Sequence, residues 1–313
     1  MSRLDREGQP SASFQSRLCF ILGIHLRSGT NYIYNLLKEH PDCAGPGPIW
    51  EDHVLQYSRP LIDYTASLYR AWNPKWKVAE KIGSKGTLLG HFGDSIQAFL
   101  LRQLNDGDPR KVLLTKTPSV KGLGSFFDLF PDAHLILIVR DGRALVESGV
   151  RSFDWRYENA MQAWREGAQE ILDFQRVCQG SERKMLLVKY EDLVQNTRNE
   201  LCHMFEFLDL DPERYDFAAA ESLGVIGSSE SKGQEGSVHW RVTEKTAEFN
   251  PLARAMHWDR KKHERFNWVA GRPMVELGYT LDEKVGSAPV RNRLLDAGWK
   301  LRSLVAALYR AVR

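Results

Sequence analysis

Four short apolar runs bounded by turn residues punctuate the chain: RLCFILGIHL (17–26), KVLLTK (111–116), HLILIVR (134–140) and KMLLVKYE (184–191). Each is rich in Leu, Ile or Val with little alternation of polar and apolar positions, as expected of parallel strands covered on both faces. Between and after them the apolar spacing shifts to a helical period, over 30–39, 121–130, 142–152, 157–176 and 197–208. Strand alternating with helix predicts an α/β fold with a doubly wound central parallel sheet, whose ligands collect at the carboxyl ends of the strands.

Two regions break this rhythm. Residues 41–110 open on the Pro/Gly loop HPDCAGPGPIWEDHV and continue into aromatic helical material with Trp72 and Trp76. They read as an insertion over the sheet edge, a place for substrate contacts. Residues 224–250 form a second long polar stretch, GVIGSSESKGQEGSVHW, of a length that in a compact protein is usually functional or disordered. The resulting division is a flexible N-terminus over 1–16, an α/β domain over 17–285 and a basic amphipathic helix over 286–313. That last segment places Leu301, Val305, Leu308 and Val312 on one helical face and carries six basic residues against one acid. Docking on the body or on a second subunit is the plain reading, and peripheral contact with an anionic membrane through 288–313 the sharper one.

Composition narrows the partners. Apolar residues at 42% and charged residues at 27% of 313 describe an ordinary globular protein. With 43 Lys+Arg against 40 Asp+Glu, the net charge of +3 argues against a general nucleic-acid binder and leaves room for a local cationic pocket. The four cysteines, Cys19, Cys43, Cys178 and Cys202, form no CxxC and read as mostly buried thiols of a reducing compartment. The first sixteen residues are polar and carry no signal-peptide core. No stretch approaches the roughly 18 apolar residues of a membrane helix. A cytoplasmic location is expected.

Candidate chemistry centres on GIHLRSGTNYIYNLL (23–37). A strand ends near Leu26, a tight turn follows at Ser28–Gly29 and a helix begins at about Thr30. This geometry aims backbone N–H groups and the positive helix end at one point, a P-loop-like cradle for an oxyanion. Thr30 and Asn31 add donors and Arg27 adds a charge; the competing reading is a plain turn capped by Thr30. A second constellation, LILIVRDGRALVESGV, puts Arg140 at a strand end and Ser148 two turns into the next helix. A phosphate bound by both would sit apart from the first loop, against the alternative of a structural salt bridge for Arg140. GxxxxGK[ST] is absent and Asp141 reads as a turn or cap, which weakens a nucleotide kinase-like phosphotransferase. No HExxH or clustered Cys/His pattern calls for a metal.

RSGTN followed about 110 residues later by VRDGRALVES resembles the paired signature of sulfotransferases that use 3′-phosphoadenosine 5′-phosphosulfate. The resemblance extends to LLTKTPSV, LVKYEDLV and KGQEGSVHW, and KTP…FPDAHLILIVRDGRA is similar to the tyrosylprotein and carbohydrate branches. It implies that Arg27, Ser28, Gly29, Thr30 and Asn31 hold the 5′-phosphosulfate, and that Arg140 and Ser148 hold the 3′-phosphate. Lys116 matches a lysine that stabilises charge on the transferring sulfuryl group, and Arg27 shares that task. Lys232 and Gly233 resemble the Lys-Gly of a cofactor loop, although Ser231 stands where an arginine is usual. Tyr190 is placed at the adenosine pocket. A general base is expected in PIWEDHV, where Glu51, Asp52 and His53 are all eligible, in a loop a few residues longer than in the tyrosylprotein branch. Glu51 is favoured because Trp50 beside it would raise its pKa, and His53 has the best ordinary pKa for the task.

The resemblance therefore implies a metal-free sulfuryl transfer to an acceptor hydroxyl, releasing 3′-phosphoadenosine 5′-phosphate. A glycan or glycolipid acceptor is preferred from the aromatic insertion and the branch resemblance, while a tyrosine in a peptide or a small hydroxylated metabolite would use similar machinery. Trp50, Trp72, Trp76 and Trp155 are expected near the acceptor, and Trp164 and Trp268 in the core. A sulfotransferase-like protein that has lost catalysis and binds a partner is the remaining alternative.

Overall fold

In a computed structural model, residues 17–103, 108, 110–223, 225–226, 242–243, 255–281 and 288–311 are described. The central sheet holds β1 (Leu18–Gly23), β2 (Cys43–Ala44), β3 (Val112–Thr117), β4 (His134–Val139) and β5 (Met185–Lys189), in the order β2-β3-β1-β4-β5. Every pairing in it is parallel. The chain leaves β1 toward β3 on one side and returns to β4 on the other, so the strand order reverses at β1. Ligand crevices form at such a switch point, outside the carboxyl ends of the strands.

All four expected strands are present within their expected stretches, apart from an extension of β3 to Thr117. The fifth, β2, lies at the start of the region read as an insertion, so that region supplies an edge strand of the sheet. Two residues between turns carry no apolar periodicity, which is why β2 left no trace in the pattern. Short β6 (Val225–Ile226) and β7 (Val242–Thr243) pair antiparallel in a separate ribbon. Residues 1–16 and most of 224–250 lie outside the described residues.

The helices are α1 (Thr30–Lys38), α2 (Arg59–Trp76), α3 (Val78–Ile82), α4 (Lys85–Leu101), α5 (Phe126–Leu129), α6 (Gly142–Phe153), α7 (Tyr157–Cys178), α8 (Tyr190–Gln195), α9 (Thr197–Phe207), α10 (Phe217–Ser222), α11 (Arg260–Glu276) and α12 (Pro289–Ala311). The helix expected over 121–130 is instead a 3-10 turn at Leu123–Ser125 running into α5. Gly122 starts it in a left-handed conformation (φ 87°), and its N–H and that of Leu123 are taken by Glu170 of α7 at 2.9 and 3.0 Å.

Side chains alternate across the strands and fill a core on each face. Phe20, Leu22, Leu135, Leu137 and Val139 pack with Phe126, Trp164, Ile171, Phe266 and Met274. Cys19, Ile21, Leu114, Ile136 and Ile138 pack on the other face with Ile33, Leu36, Leu201, Met204 and Phe205. Burying a Leu, Ile or Phe completely is worth about 1.5–3 kcal/mol relative to exposing it, so both layers fix the register of the strands and with it the positions of the loops at their ends. Trp164 is fully buried, as expected. Trp268 is not a core residue: it is 37% exposed and its indole N–H donates to Asp296 Oδ2 at 2.9 Å. All four cysteines are free thiols, three buried and Cys202 half-buried.

Candidate active site

The first loop is built by β1 and α1. After β1 the Ile24 N–H still donates to Ile138 at 3.0 Å, and the chain then turns through Arg27 (φ 77°) and Gly29 (φ 103°). Glycine is required at position 29 twice over. Its φ is left-handed, and a Cβ there would lie 2.3 Å from the Tyr190 ring. Gly29, not Thr30, is the N-cap of α1, and no side chain caps the helix. The start of α1 thereby has the uncapped arrangement that makes helix N-termini oxyanion sites, with the Tyr32 N–H already donating to the Gly29 carbonyl at 3.0 Å. Ser28 is fully buried, and its Oγ has no hydrogen-bond partner among the described residues.

The second half of the site comes from β4 and α6. Asp141 caps α6 by accepting from Arg143 N at 2.8 Å and Ala144 N at 3.4 Å, and also binds the Arg143 guanidinium. Arg140 is buried, lies 4.5 Å above the Tyr190 ring and donates through Nη1 to the Arg27 carbonyl at 2.9 Å. Its Nε and Nη2 are buried without a partner among the described residues. Leaving such donors unpaired costs about 1–3 kcal/mol each or more when charged, which marks a place made for an anion. Arg27 Nε donates to Ser148 Oγ at 3.0 Å, with its guanidinium carbon 5.8 Å from the Phe153 ring. The two halves expected to sit apart therefore touch, because Arg27 bridges from the first loop to α6.

Beneath Arg140, Glu191 accepts from the Asp141 N–H and from the Tyr279 hydroxyl, both at 3.0 Å. Burial pushes the Glu191 carboxyl above its ordinary range, opposed by these donors and by the Arg140 charge. One residue before Ser148, buried Glu147 accepts from Tyr157, Trp258 and Arg151, each at 2.7 Å. Burial alone would raise its pKa, and the three donors outweigh burial and hold it below the ordinary value. Glu147 thus ties α6 to α7 and to the segment before α11. Neither glutamate was picked out from sequence, since a buried acid shows itself only through partners far along the chain.

A third group lies at the end of β3. Lys116 is buried within the strand, with Nζ 3.6 Å from Glu51 Oε1 and 5.9 Å from the Tyr34 ring centre. Burial lowers its pKa, and the nearby Glu51 carboxylate opposes that shift. The other Glu51 oxygen is 3.4 Å from His53 Nε2. The loop carrying them is anchored to β3 by Asp52 N to Lys116 O (3.1 Å) and His53 N to Thr117 Oγ1 (2.9 Å). His53 itself holds a left-handed backbone, φ 49°.

Several sequence expectations change here. Asp52 is spent on structure: it accepts from Thr115 Oγ1 at 2.8 Å and Val54 N at 2.9 Å, and burial raises its pKa. That leaves Glu51, set between Lys116 and His53, and His53 itself. Trp50, at 78% exposure, points away into solvent, so the groups beside the Glu51 carboxylate are Lys116 and His53 and not an indole. Tyr190 is buried beneath Gly29 and Arg140 and supports the loop, so it does not line an open pocket. Trp155 stacks at 5.4 Å on Phe153, the ring beside Arg27, while Trp76 is exposed and Trp72 half-buried on α2. Lys232 and Gly233 lie outside the described residues. Among the described residues no group of three or more His, Cys, Asp or Glu side chains could hold a metal ion.

The chain is similar to known proteins. Protein-tyrosine sulfotransferase A of Caenorhabditis elegans is 28% identical over 207 residues, covering 62% of this chain and 50% of that protein. The protein-tyrosine sulfotransferase of Drosophila melanogaster is 30% identical over 204 residues, covering 62% of this chain and 38% of its own. The chain thus spans about half or less of the length of these curated relatives. Among solved structures, the sulfotransferase domain of the Synechococcus PCC 7002 olefin synthase overlays with a TM-score of 0.46 at 21% identity, covering 85% of this chain and 96% of that one. The sequence model of the sulfotransferase family matches residues 19–214. With well over half of the chain inside that match, the protein belongs to the sulfotransferase family.

Proposed function

We propose that the protein transfers the sulfuryl group of 3′-phosphoadenosine 5′-phosphosulfate to an acceptor hydroxyl. The observation that carries this reading is the buried Arg140 guanidinium with two unpaired nitrogens, adjoining the Arg27–Ser148 bond and the uncapped start of α1. A nucleotide with phosphate at both its 3′ and 5′ positions would satisfy both halves of that surface. Arg140 and Ser148 would hold the 3′-phosphate, and Ser28, Gly29, Thr30 and Asn31 the 5′-phosphosulfate. When bound, the donor supplies an activated sulfuryl group on a phosphate leaving group.

The chain's own residues supply alignment and charge. Lys116, whose charged form Glu51 favours against burial, would offer an ammonium to oxygens that gain charge during transfer. Glu51 is the base of choice: its carboxylate is fixed between Lys116 and His53 and stays half-exposed toward an acceptor. His53 orients Glu51 from the far side. Arg27, hooked on Ser148, positions the first loop against α6 and adds a positive charge.

The tyrosine specificity in the names of the two relatives supports a tyrosine hydroxyl in a polypeptide as acceptor. A glycan or glycolipid hydroxyl is a second reading, favoured only by exposed Trp50 and Trp76 in the 41–110 region. The test is transfer of radiolabelled sulfate from the donor to tyrosine-containing peptides, and in parallel to oligosaccharides and glycolipids. Label on peptide tyrosine supports the main reading, label on carbohydrate the second. Label on neither, with the donor bound, would favour a binding protein without catalysis.

A further inference from the structure

The structure assigns the exposed face of α12 to an anionic membrane surface, on which the helix lies flat. One side of α12 is fixed to the body. Asp296 accepts from Arg265 Nη2 at 2.6 Å and from Trp268 Nε1 at 2.9 Å, Asn292 is buried, and Trp299 Nε1 donates to Asn159 at 3.1 Å. Arg291 reaches Glu264 at 3.5 Å. The one acid of the helix is thereby consumed in docking.

The opposite side is apolar and, among the described residues, uncovered. Val290, Leu294, Leu301, Leu304, Val305 and Leu308 recur at helical spacing along one stripe, and Leu294, Leu301 and Leu308, one heptad apart, are 70%, 65% and 66% exposed. The same spacing puts Arg293 and Lys300 on one border of the stripe and Arg302 on the other, all exposed. Apolar residues facing outward between two basic margins are the pattern of a helix seated at the headgroup boundary, with leucines in the acyl layer and cations on the phosphates. No described helix is long and apolar enough to cross a bilayer, so the helix lies on the surface and does not span it.

Charge decides against a second copy of the chain. Leu294, Leu301 and Leu308 also match a coiled-coil seam, but pairing two such helices would set Arg293 and Lys300 beside a partner without a single free acid on the matching face. Anionic lipid neutralises those margins, and a like helix would not.

The test uses the whole protein with phosphatidylcholine vesicles containing or lacking about a third phosphatidylglycerol, read by co-sedimentation. Binding is expected to the anionic vesicles, to fall at high salt and to be near background on pure phosphatidylcholine. Replacing Arg293 and Lys300 by Gln should weaken binding on the order of 20-fold, at about fivefold per charge near an anionic surface. Leu301→Asp with Leu308→Asp should abolish it. These positions are exposed, so circular dichroism and the melting temperature should stay at wild-type values. Equal sedimentation of wild type and both variants would overturn the assignment. So would a dimer seen by analytical ultracentrifugation that the Leu301/Leu308 variant dissociates.

Discussion

The two sides of the site are built on different principles. On the β1/β4 side, Ser28, Arg140 and Ser148 are buried in a turn, at a strand end and within a helix, and Ser28 Oγ and Arg140 Nε and Nη2 have no hydrogen-bond partner among the described residues. On the β3 side, Glu51 and His53 are half-exposed on a loop, with one Glu51 oxygen against Lys116 and the other against His53. The first, on the proposed function, is a socket whose unpaired donors a bound anion would satisfy. The second, on the proposed function, is a carboxylate and an imidazole beside an ammonium that would take a proton from an acceptor, which suits a loop more than a strand. Binding and turnover should therefore separate cleanly under mutation.

The sharpest separation comes from Glu51→Gln. Removing a general base costs typically 10²–10⁴-fold in rate, so kcat should fall by about that range while nucleotide affinity stays unchanged. His53→Asn should cost less, about tenfold, because it touches Glu51 from behind; a larger loss than for Glu51→Gln would exchange their roles. Lys116→Ala should lower kcat by about 10²–10³-fold, the usual loss for one positioned donor, and Lys116→Arg should recover part of it. Burial lowers the Lys116 pKa from 10.5, so the alkaline loss of activity should begin below that value in a kcat–pH profile.

A smaller effect tests the scaffold behind the socket. Glu147 has a folded pKa held below the ordinary 4.5. Its stabilising contribution is therefore fully present above pH 4.5 and is lost as pH falls through the lower, folded value. Glu147→Gln should destabilise by about 1–3 kcal/mol at pH 7, as expected when buried donors lose their acceptor. In urea melts the difference from wild type should shrink as pH falls below 4.5. A pH-independent difference would mean that Glu147 acts through packing alone.

The contrast also explains what the sequence made legible. The socket follows from local rules: a buried parallel strand, a turn that needs Gly29, a helix start, and an arginine at the next strand end. Those features lie within a few residues of one another and so can be read in line. The Lys116 group depends on a loop returning to β3 across more than sixty residues, and nothing local shows that Asp52 turns inward to Thr115 while Glu51 turns to Lys116. The bridge from Arg27 to Ser148 and the buried acids Glu147 and Glu191 were hidden for the same reason. β2 escaped because two residues carry no period, and Trp268 because a helical pattern does not say that α12 leaves its face partly open.

The most direct measurement is isothermal titration of the protein with 3′-phosphoadenosine 5′-phosphate, with ATP–magnesium alongside, on wild type and on Arg140→Ala. Micromolar binding of the bisphosphate, much weaker binding of ATP, and a loss of about 10–150-fold in the mutant are expected, the last from about 1.5–3 kcal/mol for a hydrogen bond to a charged group. ATP binding as tightly as the bisphosphate, or an Arg140→Ala variant that binds as well as wild type, would contradict the assignment of this surface to a 3′,5′-phosphorylated donor.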